Sequence, residues 1–100
     1  MDLIKEQSIK TKLEAIKTQT DETCEIRIRK LKSLINQMNL HLLENPHDKK
    51  NILTLQKLGY EVILYILAND KVSDETQTIR QKDQAESLIA IINSELKSLK

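Results

Sequence analysis

The sequence predicts an all-α protein of four helices, with the second and third folded as an antiparallel hairpin and the first loosely packed. Three observations carry this. Glycine and proline occur once each in 100 residues, so a β-fold would lack residues for its turns. Apolar side chains recur at helical spacing: Cys24, Ile28, Leu31, Ile35, Met38 and Leu42 succeed one another at intervals of 4, 3, 4, 3 and 4. The one proline, Pro46, separates this run from the next and leaves a connection too short for anything but a hairpin.

The length bounds a single small domain. Within it, residues 1–20 are expected as an N-terminal helix free to move, 21–70 as the hairpin core, and 71–100 as a C-terminal amphipathic helix. In the first helix Ile9, Leu13 and Ile16 share a face that Leu3 and Ile4 extend. The polar stretch from Thr18 to Thr23 interrupts it and offers Thr20, Asp21 and Thr23 as caps for the second helix. That helix spans about Glu22 to Glu44, with Arg27, Arg29, Lys30 and Lys32 forming a basic shoulder beside the apolar stripe. Asn45, held out of the α region by Pro46, ends it.

Asp48 is placed to cap a third helix over about Lys49 to Asn69. Lys49 and Lys50 stand in its first turn, against the helix dipole, as residues kept for a partner would. Its stripe is Ile52, Leu55, Leu58, Val62, Tyr65 and Ile66. Residues 62 to 68 are apolar nearly all round and require either two helical neighbours or a partner. Gly59 costs about 1 kcal/mol relative to Ala in a helix and suits a close helix–helix approach. Ser73 or Asp74 caps a fourth helix, polar over 74 to 84 and then apolar along Ala85, Leu88, Ile89, Ile92, Leu96 and Leu99.

Composition removes several classes of function. Net charge is +1, so any nucleic-acid contact has to come from a local patch. One cysteine excludes an internal disulfide, and Cys24 on the apolar stripe reads as a packed thiol. No apolar run is long enough for a bilayer, and acids at Asp2, Glu6 and Glu14 make a poor leader. Catalysis is not expected. His41 and His47 lack helical metal spacing, Cys24 is several turns from His41, and a single glycine cannot form a phosphate loop. No metal, cofactor or small-molecule substrate is expected.

One pattern is more specific. Ile28, Leu31, Ile35, Met38, His41 and Leu42, a short turn ending in Asp48, then Lys49, Lys50, Ile52 and Leu53, and finally Tyr65, Ile66 and Asp70 resemble the ribosomal S-fifteen family of small-subunit proteins. The similarity covers about residues 20 to 80, with a weak echo of the last family helix in Glu75 to Ile79. The resemblance implies a structural protein that binds ribosomal RNA at a three-way junction and a nearby shallow minor groove. By the same resemblance His41 and Asp48 take minor-groove hydrogen bonds, Lys49 and Lys50 meet phosphate, and Tyr65 lies at the junction side. Arg27, standing where the family has a glutamine, joins this RNA-facing set.

The chain departs from the family pattern at Arg27, around Thr20, Asp21 and Glu22, where the family has Thr-Gly, and in two further ways. The segment after Asp48 is three residues shorter, without the family's serine, and the third helix is poor in arginine. Fewer phosphate contacts mean a shallower salt dependence. The expected setting is therefore an organellar ribosome, mitochondrial in preference to plastid, with the cytoplasm as the alternative. Neighbouring ribosomal proteins would share the anchoring, and the stretch from Ala85 to Leu99 would dock on one of them. The competing reading is a helical interaction subunit of an organellar or membrane-associated complex, without nucleic acid, resting on the near-neutral charge and on residues 62 to 68.

Overall fold

The computed structural model describes residues 6–18, 21–69 and 75–99. Four α-helices succeed one another: α1 (Glu6–Thr18), α2 (Cys24–Glu44), α3 (Lys49–Asn69) and α4 (Glu75–Ser98), with a 3-10 turn at Pro46–Asp48 between α2 and α3. Leu3, Ile4, Thr20, Asp70, Ser73 and Asp74, each assigned a part from the sequence, lie outside the described residues.

Helix boundaries obey local chemistry. Thr23 adopts an extended conformation and its hydroxyl accepts from the Ile26 amide at 3.3 Å, a cap that satisfies one of the free N–H groups of the first turn of α2. At the other end the Asn45 amide donates to the carbonyls of His41 (2.9 Å) and Leu42 (3.2 Å) before the chain leaves the helix. Pro46 then starts the 3-10 turn, where its missing N–H is no loss.

α2 and α3 form the expected hairpin around a tight crossing. A methyl group at Gly59 would sit 3.0 Å from two side-chain carbons of Ile35, closer than carbon atoms normally pack. Gln56, one turn earlier, is buried and donates to the Ile35 carbonyl at 3.3 Å and to the side-chain oxygen of Asn39. The two contacts fix the register of the hairpin, since a slip by one residue would bury the Gln56 amide without acceptors.

The core results from that register. Leu31, Met38, Ile63 and Ile66 are completely buried, each contributing about 1.5–3 kcal/mol by area. Leu34, absent from the stripe read off the sequence, is buried beside Ile35. The face of α3 towards α2 is Ile52, Gln56, Gly59, Ile63 and Ile66, rotated from the predicted stripe because Gly59 and Gln56 belong to it. Leu58, Val62 and Tyr65 instead border α1. α3 is thus the helix that touches all three others, which accounts for the apolar girth of residues 62 to 68.

The first helix is attached through a narrow seat. Ile9 and Leu13 are buried, and Leu13 reaches to within 3.9 Å of the Gly59 position. α4 packs along α3 through Ala85 and Ile92, with Leu88, Ile89 and Leu96 half-buried. The apolar edge expected to dock on a neighbour is therefore largely covered within the chain, because α3 has a third apolar face to offer. A cleft separates α4 from α2, lined by Ile35, Asn39, Tyr60, Gln81 and Ala85. No described helix is long and apolar enough to cross a membrane.

Both the crossing and the half-buried Tyr60 phenol have measurable consequences. Gly59→Val should lower unfolding free energy in urea by about 1–3 kcal/mol through overpacking against Ile35, and the loss should shrink in the Ile35→Ala background. Burial also raises the Tyr60 phenol above its ordinary 10.0, so the folded chain holds that proton longer than the unfolded chain. The stability it carries is intact below pH 10 and falls as pH rises beyond it; Tyr60→Phe should make thermal melts less sensitive to pH in that range.

Candidate nucleic-acid interface

Because α2 ends where α3 begins, the hairpin corner gathers His41, Asn45, Asp48, Lys49 and Lys50 from 10 consecutive positions. His41 is only 6% exposed. Its Nε2 faces the Asp48 carboxylate at 3.5 Å, and its Nδ1 lies 3.4 Å from the Asn45 side-chain nitrogen. The Asn45 amide nitrogen also donates to the His41 carbonyl at 3.1 Å. An amide N–H pointing at Nδ1 makes that nitrogen the acceptor, so in the neutral ring the proton resides on Nε2, towards Asp48. The imidazole faces the carboxylate, and the carboxylate is the group nearer the surface.

Asp48 backs up this geometry with its own amide, which donates to the Asn45 carbonyl at 3.0 Å. Its side chain faces His41, an arrangement that the cap expected from sequence did not include. A carboxylate accepts only, so it selects hydrogen-bond donors such as a ribose 2′-hydroxyl or a guanine amino group in a minor groove. Two ammonium groups beside it offset its repulsion from phosphate. Lys49 forms an ion pair with Glu95 of α4 at 3.4 Å, a half-exposed contact of small energy. Lys50 is exposed and borders a shallow depression with Thr54, Asn93 and Lys97.

Tyr65 forms a second, separate station. It lies roughly 24 Å from Lys49 along α3 at 1.5 Å per residue. Its ring is 45% exposed, and the Lys17 ammonium of α1 stands 4.6 Å from the ring centroid. The groove between α1 and α3 beside it is lined by Lys10, Glu14, Glu61 and Val62 as well.

Arg27 does not join either station, which corrects its expected place on the RNA-facing edge. It is 2% exposed, and its guanidinium donates to the carbonyls of Ile16 (3.0 Å) and Lys17 (2.6 Å). The physical reason is that the last carbonyls of α1 have no intrahelical partner, and a planar fork of N–H donors meets two of them together. Sequence reasoning missed Lys17 and Asn45. Asn45 carried a signal, an amide side chain at a helix end before proline; Lys17 carried none, because only packing brings it to Tyr65.

Cys24 is buried, and no group of three His, Cys, Asp or Glu side chains among the described residues is placed to hold a metal ion. The chain matches no protein-family model, no curated protein and no solved structure.

The tautomer is open to measurement. Nitrogen NMR at alkaline pH should find His41 in the Nε2–H form, and Asn45→Ala should shift it towards a mixture; an Nδ1–H ring in the parent chain would contradict the placing of Asn45 and Asp48 on either side of it.

Proposed function

We propose that this protein is a non-catalytic, rRNA-binding constituent of a small ribosomal subunit, gripping RNA with the corner of the α2–α3 hairpin. The observation that carries the reading is the juxtaposition of a carboxylate with two lysines. Asp48 faces buried His41 beside Lys49 and Lys50, on a scaffold whose sequence resembles the S-fifteen family. RNA helices expose 2′-hydroxyls and base edges in a wide, shallow minor groove, and a rigid convex corner reaches them without an aromatic platform. The carboxylate supplies selectivity and the ammonium groups supply attraction.

The modest basic content favours shared anchoring by protein neighbours. Leu40 and Leu43, 57% and 79% exposed on the outer face of α2, offer them an apolar contact next to the corner. The setting proposed for a chain with so few arginines is an organellar small subunit, mitochondrial in preference to plastid. The alternative of an interaction subunit without nucleic acid loses its main support, because Ile63, Ile66 and Leu67 are buried inside the chain. It retains the near-neutral charge and the exposed Leu40, Leu43, Ile79 and Ile91.

Gel shifts of the full chain with a three-way RNA junction that includes its minor-groove stem should show binding with a shallow log–log salt slope of about −2 to −3. Lys50→Glu should weaken binding severalfold and reduce the slope by about 1, while Asp48→Ala should lower discrimination against stems of altered groove sequence. Absence of junction binding, together with absence of the native chain from sedimented ribosomal particles, would overturn the proposal.

A further inference from the structure

We infer that Arg27 is a positioning residue for a second RNA contact, made by Lys17 and Tyr65, and this inference rests on the proposed RNA-binding function. At the C-terminus of α1 the Thr18 hydroxyl donates to the carbonyls of Glu14 (3.0 Å) and Ala15 (3.3 Å), and Arg27 takes the next two, Ile16 and Lys17. Every carbonyl from Glu14 to Lys17 therefore has a side-chain donor, and the last two are gripped from α2. The guanidinium holds the backbone of the residue whose ammonium stands over Tyr65.

That grip matters because a cation–π contact at a half-exposed ring is weak against the rotamer entropy of a lysine chain. Fixing the Lys17 backbone removes part of that cost before any ligand arrives. The groove beside the pair has Lys10 and Lys17 set against Glu14 and Glu61, so its walls balance to no net charge. It exerts little bulk attraction. What it offers is one oriented cation next to an exposed aromatic edge, suited to a single phosphate and the sugar or base beside it. The distance of roughly 24 Å between this station and the corner requires a ligand that is branched or extended, as a junction is and a short stem is not.

The test uses two RNAs, the junction with its stem and the stem alone, and the variants Arg27→Met, Lys17→Ala and their double. Each single variant should weaken junction binding about fivefold with a salt slope smaller by about 1, and the double should be no weaker than either. Stem binding should stay within about twofold of the parent chain. In the free protein, the ring-current shift of the Lys17 ε-methylene should disappear in Arg27→Met and return in part in Arg27→Lys, which keeps one donor. Equal losses on both RNAs, additive single effects, or an unchanged ring-current shift would overturn the inference. Failure of the parent chain to bind either RNA would instead overturn the RNA reading and the role of the pair with it. Binding of both RNAs unaffected by Arg27→Met would remove this inference alone.

Discussion

The crossing of α2 and α3 at Gly59 is the constraint on which the rest of the molecule depends. With no side chain at that position, Ile35 lies against the α3 backbone, and the Gln56 amide reaches acceptors on α2. The apolar gain of such a close approach is undirected, and by itself would tolerate several registers. The buried amide supplies the direction, because only one register gives it partners. Once the register is set, α2 ends opposite the start of α3, and His41 comes to face Asp48 across the turn.

The same register leaves α3 with three apolar faces, and each is taken by a different helix. That explains how a chain without tryptophan or phenylalanine maintains a core: one central helix packs against three neighbours, with Lys50, Asn51, Thr54, Glu61, Tyr65 and Ala68 left exposed. The outer helices are held differently. α1 depends on two buried apolar side chains and on the Arg27 clamp, and α4 on a single edge. The molecule is correspondingly flat, 41 × 25 × 17 Å.

Charge obeys a similar logic. A net charge of +1 hides an arrangement in which several cations have intramolecular duties: Lys30 pairs with Glu22, Lys49 with Glu95, and Arg27 caps α1. What is offered outward is correspondingly local, a carboxylate near the exposed Lys50 at the corner and a lysine over a tyrosine on the α1 side. Small numbers of well-placed charges favour orientation over strength, and a partner recognised this way has to match in shape.

Much of this architecture is legible in the chain itself. Helical periodicity, a lone proline and a lone glycine determined the all-α class, the hairpin, its turn and the close approach at Gly59, because these depend on neighbours within a turn or two of chain. The residues of the corner were legible for the same reason, since they are contiguous in the chain, while the facing of His41 and Asp48 depends on the hairpin register. Tertiary packing decided the rest. The rotation of the α3 stripe, the covering of α4, the pairing of Lys49 with Glu95 and the placing of Lys17 over Tyr65 join residues from separate helices. Arg27 shows the limit most clearly: a basic residue on a helix shoulder reads as an outward charge, and only the neighbouring helix end, with carbonyls in need of donors, turned it inward.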